Sequence, residues 1–378
     1  MRTLCLDQFS DLGGAQQCLI ELLPAMLQKE WQILLGVPGC GGLVARAGEM
    51  GVPLRRISCA GYSAGEKSPA DGLRFMGECP RLARQIRSLA REFRPDLLYV
   101  NGPRLLPAVT VANLRLPVVF HSHSVVTSRL ARQLAGSCLR RLSARVVACC
   151  QFVEASWRSL VEPSAMSVVY NGVPGPRKYE RRTPHVHQPL IGCIGRIDPQ
   201  KGQLDFLNAA RRIHAAIPNA RFAIHGAPLF ATREGVRYES ELRKAAAGLP
   251  VEFRGWTPDI YRALAELDLL IVPSRGGEAT TRVILEAFAA GVPVVARPSG
   301  GIPEVVEHGV DGLLANACEE LAAGCVDLLK GPAAILAKMS ERARQTWERR
   351  FTLERFRREL LYALAGSATG SCIYRGAS

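Results

Sequence analysis

The sequence contains no long apolar run. No stretch approaches the roughly 20 residues that a membrane-spanning helix needs, so we expect no membrane span. The first residues, MRTLCLDQF, lack the apolar core and small-residue cleavage site of a secretory signal and instead predict a strand. We therefore predict a protein that is made and kept in the cytoplasm.

Paired cysteines and phosphate-binding fingerprints are missing as well. The chain has 12 scattered cysteines without a Cys-x-x-Cys pair, and the adjacent Cys149 and Cys150 suit neither an ordinary disulfide nor a zinc site. We interpret the cysteines as small, reduced core residues. The glycine-rich segments match neither the P-loop nor Gly-x-Gly-x-x-Gly, which argues against an NTPase and a Rossmann-type dehydrogenase.

Charge is unevenly distributed along the 378 residues, whose net charge is +14. Residues 1–185 carry 24 Lys and Arg against 13 Asp and Glu, a surplus of +11, whereas the remaining residues carry 24 against 21. A basic half attracts a polyanion or an anionic membrane surface. No aromatic-rich basic stripe of the RNA-binding kind is present, so we predict no nucleic-acid partner.

Short apolar runs alternate with helical periods, which predicts parallel α/β structure. The predicted strands of the first half are RTLCLD, WQILLGV, PDLLYVN, PVVFHSHS and ARVVACC, and residues 81–93 have the apolar period of a helix. Those of the second half are PLIGCIG, ARFAIHG, VEFRG, LDLLIVPS and PVVAR, with helices near 203–217, 259–266 and 281–290. The chain is long enough for two doubly wound, Rossmann-like domains that face each other across a cleft, where ligands of such sheets bind.

The segment SRGGEATTRVILEAFAAGVPVVA (274–296) places Glu278 in a Gly-rich turn and Glu286 inside a predicted helix. Thr280 or Thr281 suits the helix N-cap. A helix N-terminus can bind phosphate, a carboxylate at Glu286 can accept hydrogen bonds from a ribose, and Glu278 can contact a sugar. The alternative is that Glu278 is a solvated loop acid and that Glu286 pairs with the arginine four residues before it.

A second motif, IGCIGRIDPQKGQLDFLNAA (191–210), follows a predicted strand that ends at Gly195. Arg196 and Lys201 leave that strand end in one short loop. Two cations there can reach a diphosphate and stabilise the charge that builds on a leaving phosphate. The alternative is that both side chains are merely solvated.

Two further signals come from the first half. Gly13 and Gly14 follow the first strand and open a helix, and a glycine pair lets the backbone approach a ligand closely. His123 ends a strand and can hydrogen-bond a sugar hydroxyl or a charged transition state. His121 shares its face of the strand, so a metal pair is an alternative. Since neither Asp-x-Asp nor a third clustered ligand accompanies the histidines, ligand contact is favoured over a metal.

Together these motifs resemble the retaining glycosyltransferases of family four, which have the GT-B fold. The resemblance covers about residues 1–365 and rests on GGA, HSH, YNGV, GRIDPQKG, FRGW, PSRGGEATTRVILEAFAAGVPVVA and SGGIPEVVEHGVDGLL, of which the last two are the most specific. It implies a hexosyltransferase that moves a sugar from a nucleoside diphosphate sugar to an acceptor hydroxyl, with retention and without a metal or other cofactor. Family frequency favours UDP.

The resemblance also implies the site residues. Glu278, Arg196, Lys201 and His123 form the catalytic set. The donor-binding set is Gly13, Gly14, Arg196, Lys201, Trp256, Thr257, Glu278, Thr280, Thr281, Arg282 and Glu286. The two cations and the N–H groups of Thr281 and Arg282 meet the diphosphate, which Gly13 and Gly14 border. Glu286 meets the ribose, Glu278 and His123 the transferred sugar, and the backbone around Trp256 and Thr257 the base.

The expected domains follow from the same comparison and from composition. Residues 1–172 form an N-terminal acceptor-binding domain, and a linker rich in Pro, Gly and charge covers 173–189. Residues 190–350 form a C-terminal nucleotide-sugar-binding domain. A helix over 351–366 packs back toward the N-terminal domain, and a flexible tail covers 367–378.

The chain departs from the family pattern where the donor is selected. Ala279-Thr280-Thr281 stands where Pro-Phe-Gly is often found next to the sugar. HGAP replaces a Gly-x-Gly-type turn near the base. Two other classes of function stay open, namely a nucleotide-sugar 2-epimerase on the same fold and a non-catalytic sugar- or nucleotide-binding protein.

Five arginines cluster in RLARQLAGSCLRRLSAR, namely Arg129, Arg132, Arg140, Arg141 and Arg145. They predict contact with anionic lipid, and hence a peripheral position on the inner face of the plasma membrane. A lipid-linked or cell-surface glycan is the matching acceptor, as in polysaccharide biosynthesis. The alternative is an ordinary solvated helix face.

Overall fold

The computed structural model describes residues 1–59, 69–178, 188–228 and 233–368. It divides the chain into two compact units, one of Met1–Asn171 with Leu353–Ser378 and the other of Gly172–Thr352. The predicted linker 173–189 thus falls within the second unit, and its residues 179–187 lie outside the described residues. The predicted tail from residue 369 onward lies outside them too.

The strands of the first unit are β1 (Arg2–Asp7), β2 (Gln32–Val37), β3 (Leu54–Arg56), β4 (Leu97–Asn101), β5 (Val118–Ser122), β6 (Arg145–Ala148) and β7 (Met166–Val168). They form one parallel sheet in the order β3-β2-β1-β4-β5-β6-β7. All five strands predicted for this half are confirmed. β3 (LRR) and β7 (MSV) were missed because arginine or serine interrupts their short apolar runs.

The helices of the first unit are α1 (Gly14–Gln28), α2 (Gly42–Glu49), α3 (Pro69–Phe93), α4 (Leu106–Ala112), α5 (Arg129–Arg141) and α6 (Gln151–Ala155), joined by the chain's last helix described below. The helix predicted over 81–93 is the second half of α3, and its apolar face is buried at Leu82, Ile86 and Leu89. The helix ends at Phe93, two residues before Pro95, which cannot continue it.

The second unit contains β8 (Leu190–Ile194), β9 (Arg221–His225), β10 (Val251–Gly255), β11 (Leu269–Val272), β12 (Val294–Ala296) and β13 (Gly312–Leu314). Its parallel sheet has the order β10-β9-β8-β11-β12-β13. The helices are α7 (Gln203–Ala216), α8 (Arg233–Ala245), α9 (Ile260–Ala265), α10 (Arg282–Ala289), α11 (Cys318–Lys330) and α12 (Ala333–Arg350). All predicted strands of this half are confirmed, and β13 was missed.

The last helix, α13 (Leu353–Ala368), belongs to the first unit. Its apolar face (Leu353, Phe356, Leu360 and Leu364) shares a core cluster with residues of α1. Arg357 Nε donates a hydrogen bond to the Glu21 carbonyl of α1 at 2.6 Å. α13 therefore completes the hydrophobic core of the sheet that contains β1.

In both sheets the strand order reverses between two neighbouring strands, β1 and β4 in the first and β8 and β11 in the second. Loops leave these strands in opposite directions, which opens a crevice at the carboxyl edge, and ligands of doubly wound sheets bind there. The topology therefore marks the loops after β1, β4, β8 and β11 as the places to look for a site.

The described cysteines are all free, as predicted for reduced thiols. Most are buried, but Cys40 is exposed and Cys79 and Cys318 are half-buried, so the prediction of core positions is wrong for these three. Cys372 lies outside the described residues. Within the described ranges, no helix is both long and apolar enough to cross a membrane.

Candidate functional site

Arg196 and Lys201 lie in the loop that follows β8. Asp198 shapes this loop, since its carboxylate accepts a hydrogen bond from Gln200 N at 2.9 Å and lies 2.9 Å from Arg196 Nη2. Gly202 then starts α7 with a φ of +72°, and a Cβ there would lie 2.2 Å from the Pro273 carbonyl oxygen. The loop after β8 thus approaches the loop after β11 so closely that only glycine fits at position 202.

The loop after β11 is fixed against the loop after β8 by backbone hydrogen bonds. Arg275 N and Gly276 N both donate to the Gln200 carbonyl, at 2.8 and 3.4 Å. On the other side, Gly301 N donates to the Glu278 carbonyl at 2.8 Å. The Gly-rich turn therefore has a defined conformation between two neighbouring loops.

These contacts bring Lys201 and Glu278 together. Lys201 Nζ lies 2.6 Å from Glu278 Oε1, and the two side chains are only 27% and 16% exposed. The interpretations of Glu278 as a solvated loop acid and of Lys201 as a merely solvated cation are therefore wrong. The two motifs identified separately in the sequence form one charged cluster at the switch point of the second sheet.

The N-terminus of α10 lies next to this cluster. Thr281 occupies the N-cap position, as predicted, but its side chain makes no capping hydrogen bond, and its hydroxyl lies 3.5 Å from Glu278 Oε2. Arg282 Nη2 lies 3.6 Å from Glu286 Oε1, so the pairing of Glu286 within its own helix, considered as the alternative, is present. The ribose role of Glu286 stays a prediction.

Asp205, on the first turn of α7, was missed by the sequence analysis. Its side chain is 2% exposed and accepts two hydrogen bonds from Arg275 (2.6 and 2.5 Å) and one from Arg297 (2.8 Å). Burial opposes its ionisation, but the arginine hydrogen bonds outweigh burial and lower the pKa of Asp205 to about 2. This carboxylate therefore anchors the loop that carries Glu278.

The carboxyl ends of β9 and β10 carry the residues expected near the base. Trp256 follows β10 and is 60% exposed, and the Thr257 hydroxyl donates to the Asp259 carbonyl at 3.0 Å. His225 ends β9 and is buried, and its Nε2 has no hydrogen-bond partner in the described part of the chain. Burial lowers the pKa of His225. From the sequence, His225 was predicted only as part of a strand.

In the first unit, Asp7 at the end of β1 is the centre of a buried polar network. Its Oδ1 accepts hydrogen bonds from Gln16 Nε2 and Phe9 N, both at 2.9 Å. Gln16 Oε1 in turn accepts from Gly13 N at 3.3 Å. The carboxylate therefore supports the predicted Gly13-Gly14 turn, in which Gly13 is the N-cap and Gly14 the first residue of α1.

The other Asp7 oxygen connects to His123. Asn101 Nδ2 donates a hydrogen bond to Asp7 Oδ2 at 2.5 Å. The side-chain oxygen of Asn101, Oδ1, therefore faces His123, whose Nε2 lies 2.7 Å from it. That arrangement places a proton on His123 Nε2, because the amide oxygen only accepts. Among the described residues, no group of three or more His, Cys, Asp or Glu could hold a metal ion.

The five arginines of the predicted patch differ in exposure. Arg129, Arg140 and Arg141 are exposed, whereas Arg132 and Arg145 are half-buried. Arg140 Nη1 also donates to the Leu160 carbonyl at 2.9 Å. Two leucines one turn apart on α5 are also exposed, Leu130 by 85% and Leu134 by 50%. Neither leucine was predicted from the sequence to belong to the patch.

Two family models match the chain. "Glycosyltransferase Family 4" matches residues 12–174, and "Glycosyl transferases group 1" matches residues 188–331. The lipopolysaccharide 1,2-N-acetylglucosaminetransferase of Salmonella typhimurium is 27% identical over 226 residues, which cover 56% of this chain and 57% of that enzyme. The matched stretch of this chain thus spans little more than half of that relative.

A second relative is the GDP-mannose-dependent monoacylated alpha-(1-6)-phosphatidylinositol monomannoside mannosyltransferase of Corynebacterium glutamicum. It is 39% identical over 128 residues, or 31% of this chain and 32% of that enzyme. Among solved structures, HepE of Anabaena in complex with UDP-glucose has a TM-score of 0.81 at 24% identity, over 97% of this chain and all of that one. Sucrose-phosphate synthase from Thermosynechococcus elongatus has a TM-score of 0.79 at 17% identity, over 98% of this chain and 100% of that one. The two family models match one doubly wound unit each. The chain therefore belongs to the group 1 glycosyltransferases of family four and has their GT-B fold.

Proposed function

We propose that the protein is a retaining glycosyltransferase that moves a sugar from a nucleoside diphosphate sugar, with UDP as the favoured nucleotide, to an acceptor hydroxyl. The observation that carries this proposal is the contact between Lys201 and Glu278 at the switch point of the second sheet. It joins a cation suited to diphosphate and a carboxylate suited to a sugar. The solved complex of HepE with UDP-glucose supports UDP as the nucleotide.

In the proposed reaction the acceptor oxygen attacks the anomeric carbon from the side on which the diphosphate leaves. The bond between that carbon and the diphosphate oxygen breaks, and the acceptor proton passes to the departing diphosphate. Arg196, Lys201 and the N–H groups at the start of α10 stabilise the negative charge that develops there. No covalent protein nucleophile is needed, and the products are a glycoside and a nucleoside diphosphate.

We further propose that this transfer needs no metal ion, since two side-chain cations and a helix terminus supply the positive charge that a metal would supply elsewhere. Glu278 lies next to the reacting carbon and orients the sugar. The roles of Gly13 and Gly14 at the diphosphate, of His123 at the transferred sugar and of Trp256 and Thr257 at the base stay predictions.

The proposed acceptor is a lipid-linked or cell-surface glycan, reached from the inner face of the plasma membrane. Support comes from α5, where Leu130 and Leu134 are exposed beside Arg129 and Arg141. No Asp or Glu occurs between Asp96 and Glu154, so no acid offsets these arginines in the sequence around the helix. Exposed leucines flanked by arginines suit an interface of acyl chains and anionic headgroups.

The experiment that tests the proposed function follows release of nucleoside diphosphate from UDP-, GDP- and ADP-sugars, with EDTA present throughout. We expect slow hydrolysis of one UDP-sugar in the presence of EDTA. NMR of the first sugar product formed shows whether the configuration at the anomeric carbon is retained or inverted. A 2-epimerase would instead convert the sugar of the donor, and a binding protein would bind UDP without turnover. Loss of all activity in EDTA, restored by Mg²⁺, would contradict metal independence.

A further inference from the structure

A cavity of about 540 Å³ opens in the first unit, and none of the residues assigned above lines it. It lies where two strands end, because Pro38 follows β2 and Ile57 and Ser58 follow β3. Ile57 N donates to the Val37 carbonyl at 2.9 Å, which continues the strand pairing into the cavity. The cavity is therefore on the carboxyl edge of the sheet, the edge at which doubly wound sheets bind ligands.

The wall of the cavity is held by a reciprocal pair of hydrogen bonds between the end of β3 and α3. Ser58 N donates to Gln85 Oε1 at 2.7 Å, and Gln85 Nε2 donates to Ser58 Oγ at 3.1 Å. Ile57 is 1% exposed and forms an apolar floor. The Ser58 hydroxyl still has its own hydrogen to donate to a ligand.

Two arginines give the cavity its charge. Arg56 comes from the end of β3 and Arg81 from α3, and both side chains are exposed. Neither guanidinium group makes a hydrogen bond or an ion pair with any residue that the structure describes. Among the lining residues that the structure describes, Glu78 is the one acid, and it lies 3.4 Å from Arg74, one turn earlier on α3. The cavity therefore has a surplus of positive charge.

We propose that this cavity binds an anionic group of the acceptor, a phosphate or a carboxylate carried on a hydroxyl-bearing sugar or polyol. The inference rests on the proposed function, since it names the chemical class of the substrate that receives the sugar. The guanidinium groups of Arg56 and Arg81 can each donate several hydrogen bonds, and a phosphate or carboxylate accepts several hydrogen bonds at once. The Ser58 hydroxyl and the polar edge of Gln85 suit the neighbouring sugar hydroxyls.

The test measures binding of three sugars that differ only at carbon 6, which carries a phosphate ester in glucose 6-phosphate, a carboxylate in glucuronate and an uncharged hydroxymethyl group in glucose. Calorimetric titrations are made at matched ionic strength with the protein saturated with UDP, because Arg196 and Lys201 would otherwise bind phosphate as well. The test variant is Arg56→Gln with Arg81→Gln. The control, Arg84→Gln with Arg91→Gln, removes the same charge from exposed positions of α3 outside the cavity lining.

We expect glucose 6-phosphate or glucuronate to bind at least tenfold more tightly than glucose, and the stronger of the two identifies the anion. The test variant should lose at least tenfold of that affinity, whereas the control should change by less than twofold. Equal binding of all three sugars, or equal losses in the two variants, overturns the inference. UDP binding and UDP-sugar hydrolysis report separately on the proposed function, so the two can fail independently.

Discussion

Lys201 Nζ and Glu278 Oε1 are 2.6 Å apart although 77 residues separate them in the chain. The contact forms because the Gln200 carbonyl, in the loop after β8, accepts hydrogen bonds from Arg275 N and Gly276 N, in the loop after β11. When no nucleotide sugar is bound, the Glu278 carboxylate partly neutralises the Lys201 ammonium group. A diphosphate would take the ammonium as its own counter-charge and leave the carboxylate to the sugar.

Replacement of either member of this pair should abolish most of the activity. A single group that stabilises developing charge typically contributes about 100-fold or more to the rate. We expect Lys201→Ala and Glu278→Gln each to lower kcat for UDP-sugar hydrolysis by about 100-fold. Stopped or coupled assays of UDP release measure this, and Lys338→Ala, at an exposed position of α12, is the control. Unchanged turnover of Glu278→Gln would refute the roles assigned here.

Replacement of Asp205 by Asn should destabilise the second unit. A neutral amide leaves Arg275 and Arg297 without their shared counter-charge. Because the Arg275 side chain is 58% exposed and solvent screens it, we expect a cost of about 2 kcal/mol, below that of a fully buried pair. The exposed pair of Arg212 and Glu319 is the comparison, and Glu319→Gln should cost about 0.5 kcal/mol or less. Urea unfolding gives both values. Similar costs at the two sites would mean that Asp205 does not anchor its loop.

The Asp205 pair also predicts a dependence of stability on pH. The pKa of Asp205 is lowered from 3.8 to about 2 in the folded protein, so its ionised form stabilises the fold. That stabilisation is complete above pH 3.8 and is lost as pH falls through 2. The difference in unfolding free energy between wild type and Asp205→Asn should therefore shrink in acid. A difference that stays constant down to pH 2 would contradict the hydrogen-bond assignment.

Replacement of Asp7 by Asn should alter the protonation of His123. The oxygen of the new amide would keep the two hydrogen bonds from Gln16 and Phe9, which puts its NH₂ group against Asn101 Nδ2. Asn101 would then have to turn and present its own NH₂ group to His123 Nε2. We expect the His123 tautomer to change, seen in ¹⁵N NMR shifts, and turnover to fall by about tenfold, the worth of one hydrogen bond. Asp11→Asn, at an exposed position, is the control. An unchanged His123 spectrum would show that Asp7 does not orient this ring.

Asp7 predicts the opposite pH dependence of stability from Asp205. Burial raises the pKa of Asp7 from 3.8 to about 6, against the hydrogen bonds that it accepts, so its ionisation opposes folding. Its contribution to stability is complete below pH 3.8 and is lost as pH rises through 6. The unfolding free energy of wild type relative to Asp7→Asn should therefore fall between pH 4 and pH 6. Cys5 and Tyr99 lie close enough to have raised pKa values partly through the Asp7 charge, but they titrate at far higher pH.

The membrane proposal is tested at α5. Wild type should bind vesicles that contain phosphatidylglycerol at low salt, and binding should weaken with added salt and vanish on neutral vesicles. Leu130→Ser with Leu134→Ser should reduce binding by about tenfold, because two exposed leucines lose their apolar contact with the acyl region. Val111→Ser, at an exposed position of α4, is the control. Wild-type protein that ignores the anionic vesicles would exclude this docking surface.

The sequence by itself determined the architecture and the identity of most candidate residues. Most strands show as short apolar runs and were predicted, β12 with its three residues among them, whereas β3, β7 and β13 were missed. Glycine-rich turns and charged residues directly after a strand can be read locally. For that reason Arg196, Lys201 and Glu278 were recognised before any contact between them was known.

Only the tertiary structure decided which of these residues contact one another and which further residues, without a signal in the sequence, hold them in place. Asp205, Asp7, Asn101 and His225 carry no local signal, because an acid on a helix or an amide at a strand end is common in any sequence. Their importance comes from burial and from partners that parallel crossovers bring to one edge of a sheet, such as Arg297 beside Asp205 from 92 residues away. The strand order fixes those neighbours, and it depends on the packing of whole helices and strands, which no short stretch of sequence contains.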